Sequence, residues 1–378
     1  MKKKIVFVVS TPYTAKAFLE NHFEKLSGIF EIHLIANLNE EDLENYNHPN
    51  LTSVKNIGIE RKINLIQDCK ALWHTTSYFK KNKFDAVICF TPKAGLVGII
   101  AAKLAGIKNR IHFFTGQVWY TKKGLFKEFL KLLDKIVVSF STDIIVDGRP
   151  QQEFLIKNKI VTENNSIILG KGTISGIDVE KFSAKSEIRI NIRKSLKYNE
   201  QDLVFMFLGR LNKDKGILDL IKAFNNLQKT QANIKLLIVG PDEENISNII
   251  ESDSINIENI TFYGITNEPE NLMQVCDVFC LPSHREAFGL SIIEASACNK
   301  PIICSDTYGL KDSIIDDETG LRHETYNIDS IFKKMQFLIK NPDSRIKLGN
   351  NGRKYVENNF SKEIITNLWL KYFLTKIP

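Results

Sequence analysis

Val278-Phe279-Cys280-Leu281-Pro282-Ser283-His284-Arg285-Glu286-Ala287-Phe288-Gly289-Leu290-Ser291-Ile292-Ile293-Glu294-Ala295 joins a short apolar run to a stretch of helical period. The run Val278–Pro282 has the length and composition of a buried parallel strand, and the periodic stretch continues to Cys298. Glu286 is therefore expected in the connecting loop and Glu294 one turn into the helix. Gly289 lets the backbone approach a ligand closely, and the N–H groups of a helix start favour an anion. Phe288, Gly289, Leu290 and Ser291 complete the turn. A loop carboxylate above such a helix start suggests a phosphorylated ligand. On the plainer reading, Glu286 is solvated and Glu294 caps or pairs.

A second stretch repeats the pattern. Val204-Phe205-Met206-Phe207-Leu208-Gly209 is an apolar strand, Arg210 to Gly216 a loop, and Ile217 to Leu227 a helix apolar at 217, 218, 220, 221, 224 and 227. Ligands of open α/β sheets bind outside the carboxyl ends of strands, so both loops belong to one sheet edge. Arg210 as a planar fork and Lys215 as a point charge suit a diphosphate. Gly240-Pro241-Asp242-Glu243 and Phe262-Tyr263-Gly264 end two further strands, which makes Gly240 and Tyr263 candidate walls for a nucleotide base.

Strand and helix patterns alternate along the whole chain, which argues for two parallel-sheet α/β domains. Front-half strands are expected at Lys4–Val9, Glu31–Ile35, Asp85–Phe90, Arg110–Phe114 and Asp143–Val146. Back-half strands are expected at Val204–Gly209, Lys235–Gly240, Ile260–Tyr263, Val278–Leu281 and Pro301–Cys304. A chain of 378 residues is comfortable for two such cores. The glycine-bearing stretch Ile167–Thr173 places the boundary near residue 170.

The Gly-Arg-x4-Lys-Gly loop, the Glu-x7-Glu element and Ser175-Gly176-Ile177-Asp178-x3-Phe182 together resemble family 4 glycosyltransferases, over most of residues 165–360 and in the same order. The resemblance implies retaining enzymes of the GT-B fold, two Rossmann-like domains facing across a cleft. The implied division is residues 1–170 on the acceptor side, 171–355 binding the nucleotide sugar, and a C-terminal helix (356–378) returning to the first domain, with Trp369, Tyr372 and Phe373 docking there. His112-Phe113-Phe114-Thr115-Gly116-Gln117-Val118-Trp119 is similar to a subgroup that builds capsule and O-antigen repeats on a lipid carrier.

The implied reaction moves a sugar, with an N-acetylhexosamine favoured, from a UDP-sugar to a saccharide on undecaprenyl diphosphate. By resemblance, Glu286 holds sugar hydroxyls and Glu294 the ribose. Arg210 and Lys215 hold the diphosphate, and His112 faces the sugar or acceptor, although a histidine within a strand is more often structural. No cofactor or metal is expected, since Asp-x-Asp and His/Cys clusters are lacking. This chain departs from the family pattern at His284, where an aromatic residue is usual, at Ala287, where glycine is usual, and in the glycine-free Ser10-Thr11-Pro12-Tyr13-Thr14 after the first strand. A sugar-nucleotide epimerase, a nucleotide-sensing module and a non-catalytic assembly scaffold are the alternative readings.

Charge separates the halves. Residues 1–170 carry 24 Lys and Arg against 16 Asp and Glu, whereas the remainder carries 27 against 28. Thr121–Lys135 holds Lys122, Lys123, Lys127, Lys131 and Lys135 among leucines and phenylalanines. A basic amphipathic helix of this kind can lie on anionic lipid, each cation contributing about 1 kcal/mol; equally, it can pack its apolar face on the sheet. Nucleic acid is not expected, because no aromatic stacking platform interleaves with the basic residues. No GxGxxG follows the first strand, so an NAD site has no fingerprint. The six cysteines lack metal-type spacing and read as reduced thiols. With no signal peptide and no apolar run near 20 residues, the expected location is cytoplasmic, peripheral on the inner membrane.

Overall fold

A computed structural model describes residues 2–38, 48–59, 64–252 and 255–378. It divides into two compact units, Met1–Gly176 with Lys362–Pro378, and Ile177–Ser361.

The first unit is built on a parallel sheet of β1 (Lys3–Val8), β2 (Phe30–Ala36), β3 (Ser53–Asn56), β4 (Ala86–Phe90), β5 (Asn109–Phe114), β6 (Asp143–Val146) and β7 (Ser166–Ile168). Their order is β3-β2-β1-β4-β5-β6-β7. The central strands are continuous apolar runs because helices cover both faces, as a parallel sheet requires. Ile5 to Val8 and Ala86 to Phe90 have no exposed surface.

The second unit repeats the architecture with β8 (Leu203–Leu208), β9 (Ile234–Val239), β10 (Ile260–Gly264), β11 (Val278–Leu281), β12 (Ile302–Ser305) and β13 (Gly320–His323), all parallel, in the order β10-β9-β8-β11-β12-β13. In both units the strand order reverses beside the first strand, which opens a crevice at the carboxyl edge there. In the second unit that point lies between β8 and β11, the strands that carry the Arg210–Lys215 and Glu286 loops.

The ten expected strands are all present to within a residue or so. Three more were not foreseen. β3, β7 and β13 are sheet edges, short and in part polar (Ser53-Val54-Lys55-Asn56, Gly320-Leu321-Arg322-His323), so they lack the apolar run that marks a buried strand.

The chain passes from the first unit to the second at Gly176 rather than near 170. Residues 171–176 are tied to the first unit: Thr173 N–H donates to Asp147 O (2.8 Å), the His22 ring bonds Ile174 O (2.8 Å) and Asn21 Nδ2 donates to Gly176 O (3.0 Å). Residues up to 361 stay with the second unit, where Ile177 N–H donates to Phe360 O.

The last helix, Lys362–Lys376, belongs to the first unit. Trp369 is fully buried there, stacked on Phe90 (5.9 Å), Phe113 (5.8 Å) and the His22 ring (4.1 Å), and Phe373 closes on Phe7 and Phe30. Among the described residues no helix is long and apolar enough to cross a membrane.

Candidate active site

Three loops leave the carboxyl edge after β8, β9 and β10, laced by backbone bonds. Gly209 N–H donates to Val239 O (3.0 Å), Gly240 N–H to Gly264 O (2.8 Å) and Leu211 N–H to Pro241 O (2.8 Å). Gly240 has φ +139°, and a Cβ there would stand 1.9 Å from Gly209 O, so only glycine fits.

The loop after β8 tightens into a short turn, Lys213–Lys215, capped by Asn212 Oδ1, which accepts Lys215 N–H at 3.1 Å. Gly216 (φ +67°) then starts the helix Ile217–Gln228 against the carbonyl of Pro282, with room for no Cβ. That close approach brings the β8 and β11 loops together. Lys215 Nζ donates to Glu286 Oε2, with both side chains about one-sixth exposed. Burial pushes the Glu286 carboxyl up, but the charge and hydrogen bond of Lys215, aided by Arg285, bring it below the ordinary carboxylate range. Glu286 is thus an anion held beside a cation.

Arg210 is held differently. Its Nη1 lies 2.8 Å from Glu243 Oε2, to which Asn212 Nδ2 also donates (3.1 Å). Each cation proposed for a diphosphate therefore stands on a carboxylate, Lys215 on Glu286 and Arg210 on Glu243.

The β11 loop leads into the helix Leu290–Ala297, whose start has Gly289 at φ +81° and no side-chain cap. Leu290 and Ser291 are half-buried at that start. Phe288 anchors the turn. It is 3% exposed and packs edge-on to Phe360 (5.1 Å), so only its backbone can face a ligand.

Glu294 is half-buried on the same helix; burial, opposed by Lys181 and assisted by Glu270, pushes its carboxyl up to about 7. Tyr263 stands half-exposed on the edge strand β10, and Gly240 ends β9 beside it.

His112 lies in the interior of the first unit. Its ring, 2% exposed, lies beneath the helix Pro92–Leu104, where a Cβ on Gly95 would meet it at 2.4 Å, and edge-on to Phe114 (4.6 Å). Burial pushes it down to about 3. The ring is uncharged, and its buried Nδ1 has no hydrogen-bond partner among the described residues.

The basic helix spans Gly124–Phe140. Lys127 and Lys131 turn inward over the buried Trp119 ring, 5.9 and 5.6 Å from its centroid, and Trp119 Nε1 donates to Asp134 Oδ2 (2.7 Å). Lys122 and Lys123 are exposed. Leu125 (90%), Leu132 (53%), Phe126 and Phe129 (each about half) are exposed on the helix's outward side, alongside Glu128 and Lys135. Part of the apolar face does cover the sheet, with Val137 buried in its core and Leu130, Val138 and Phe140 packed against it.

Residues 188–355 match the profile of the family described as glycosyl transferases group 1. Over 314 residues the chain is 36% identical to the capsular polysaccharide biosynthesis glycosyltransferase CapM of Staphylococcus aureus, covering 82% of this chain and 81% of that one. The chain belongs to the group 1 glycosyltransferases. A second relative, 27% identical over 80% of both chains, is the N,N'-diacetylbacillosaminyl-diphospho-undecaprenol alpha-1,3-N-acetylgalactosaminyltransferase of Campylobacter jejuni. HepE of Anabaena, solved with UDP and glucose, superposes with a TM-score of 0.82 at 15% identity over 99% of this chain and all of that one, which shows the shared GT-B fold of this glycosyltransferase.

Asp214 and Asp219 reach across to the β11 loop of the glycosyltransferase, Asp214 to Arg285 and Asp219 to His284. Their signal was present only as charge next to the motif residues. Among the described residues, no three His, Cys, Asp or Glu side chains gather as a metal-binding group.

Proposed function

We propose that the chain is a family 4, retaining glycosyltransferase that moves an N-acetylhexosamine from a UDP-sugar to a saccharide on undecaprenyl diphosphate in surface polysaccharide synthesis. The observation that carries the donor side is the meeting of Lys215 and Glu286 at the strand-order reversal of the second sheet, with Arg210 on the adjoining loop. The acceptor class rests on the Campylobacter relative, whose name specifies a diphospho-undecaprenol acceptor and an N-acetylhexosaminyl group.

The chemistry follows from charge. The bond between the sugar's anomeric carbon and the diphosphate oxygen breaks, and a bond to the acceptor hydroxyl oxygen forms on the same face. The hydroxyl proton passes to the leaving diphosphate oxygen, so no enzyme nucleophile is needed. Negative charge grows on the diphosphate, where Arg210, Lys215 and the helix start at Leu290 stabilise it. Because those groups supply the stabilisation, the transfer needs no divalent metal. Glu286, kept ionised, accepts hydrogen bonds from sugar hydroxyls and faces the positive ring. Glu294 holds the ribose hydroxyls.

We further propose that this enzyme rests on an anionic membrane surface through Leu125, Phe126, Phe129 and Leu132, with Lys122 and Lys123 at the headgroups. The exposure of those four apolar side chains supports this.

The test of the reaction is acceptor-dependent release of UDP from a panel of UDP-sugars with a short-chain prenyl diphosphate saccharide. Wild type should turn over one of them and Glu286→Gln none. Turnover by Glu286→Gln at the wild-type rate removes the assigned role. Isomerised donor without acceptor would mean an epimerase, and binding without consumption a scaffold.

A further inference from the structure

The loops that carry Lys215 and Glu286 are joined by more than that one ion pair. Asp214 O accepts the N–H groups of His284 (2.8 Å) and Arg285 (3.2 Å). The Asp214 carboxylate takes Arg285 side-on, Oδ2 lying 3.0 Å from Nε and 2.9 Å from Nη2. One turn on, Asp219 Oδ2 lies 2.7 Å from His284 Nε2, and the His284 ring packs on Tyr326 with centroids 3.8 Å apart. Two ion pairs thus stand side by side from adjacent residues, Asp214–Arg285 and Lys215–Glu286, with the charge order reversed on each loop.

The two pairs cannot have the same task. A diphosphate that takes Lys215 and a sugar that takes Glu286 exchange that bond for bonds to the ligand, and the link between the loops goes with it. Asp214 and Arg285 keep theirs. On the donor-site reading above, we infer that Asp214 and Arg285 are positioning residues: their side-on pair, backed by Asp219–His284, holds Lys215 and Glu286 at the separation the donor requires once their direct bond is given up. Arginine suits this because its planar fork fixes orientation as well as charge. The carbonyl of Asp214 anchors the opposite loop at the same point, so a shift of this residue moves both reacting loops.

The test is a double-mutant cycle on the full chain with UDP as probe, read by calorimetry, alongside kcat/KM and the melting temperature. Lys215→Ala and Arg285→Met should each weaken UDP about tenfold, and the double variant no more than Lys215→Ala alone, because Arg285 acts through Lys215. Arg285→Met should lower kcat/KM by about 100-fold, the scale of a misplacement near 1 Å, and Arg285→Lys should recover part of it. A purely structural role would lower the melting temperature equally in both backgrounds and leave UDP affinity unmoved. That result, or losses that add in the double variant, overturns the proposal. If Arg285→Met does not fold, Asp214→Asn, which keeps the side chain's size, enters the same cycle. Wild-type UDP affinity in Lys215→Ala overturns the donor-site reading and the positioning with it, whereas a loss there without one in Arg285→Met overturns the positioning alone.

Discussion

Gly309 lies directly beneath Glu286: a Cβ at 309 would stand 2.0 Å from the Glu286 carbonyl oxygen and 2.8 Å from that of Ala287. The neighbour is backbone, so it cannot step aside as a flexible side chain would. Gly309→Ala should displace the Glu286 loop, lowering kcat by about 100-fold and costing about 1–3 kcal/mol of stability. Steady-state kinetics and denaturant melts check both, and an unchanged kcat would show that the loop tolerates the shift.

The Lys215–Glu286 pair gives a pH dependence of defined sign. The folded carboxyl titrates below its ordinary value near 4.5, so its stabilising effect is complete above that pH and is lost as pH falls through the depressed value. Lys215→Ala removes the main partner and leaves Arg285 as the nearby charge that still opposes burial. The variant should be less stable than wild type above pH 5, by about 1–3 kcal/mol, and the gap should close toward pH 3. Melting temperatures from pH 3 to 7 measure it.

Glu294 works in the opposite sense. Its carboxyl is raised from 4.5 to about 7, so the contribution it makes is complete below pH 4.5 and is lost as pH rises through 7. Glu294→Gln should abolish that part of the decline in melting temperature between pH 4.5 and 7. The same substitution should weaken UDP, if the carboxylate holds the ribose, and most visibly above pH 7, where wild type is ionised.

For the helix Gly124–Phe140, the outward apolar residues and the inward lysines should separate cleanly. Leu125→Ser with Phe129→Ser should weaken binding to phosphatidylglycerol vesicles by about 2–4 kcal/mol, from lost burial of both side chains, without lowering the melting temperature. Lys131→Ala should act the other way, loosening the packing over Trp119 while vesicle binding holds. Vesicle co-sedimentation and thermal melts decide between them.

Removing the last helix's anchor should damage the first unit alone. Trp369→Ala empties a fully enclosed site among Phe7, Phe90 and Phe113 and should cost about 3–5 kcal/mol. Hydrogen exchange should rise in β1, β4 and β5 and stay low in β8 and β9. Uniform exchange across both sheets would mean that the units unfold together.

Central strands such as Ala86–Phe90 and Val278–Leu281 were legible because burial on both faces demands unbroken apolar runs. The edge strand Ser53–Asn56 was not, since half-exposed backbone admits serine, lysine and asparagine. Lys215 and Glu286 could be placed on one sheet edge from the strand endings alone. Their contact could not, because it depends on Gly216 sliding under Pro282 O. His112 and Lys131 show the complementary limit. Spacing says which side of an element a residue occupies, but not which side a distant Gly95 or Trp119 will cover. Asp214 and Arg285 were in plain view beside the motifs, yet nothing local to either indicates that they pair.

The place of Trp369 has a consequence for the order of events on the ribosome. The first unit's sheet is complete when Ile168 has been made, but the ring that seals its aromatic face arrives only after all of Ile177–Ser361 has been translated. At about 5–20 residues per second that delay is roughly 10–40 s. Throughout it, Phe7, Phe90 and Phe113 lack their cover, and the second unit is fully translated, at Ser361, before Trp369 is made. The later-made half of this chain is therefore free to reach its native state before the earlier one, and the nascent first half is the part that a chaperone would have to shield.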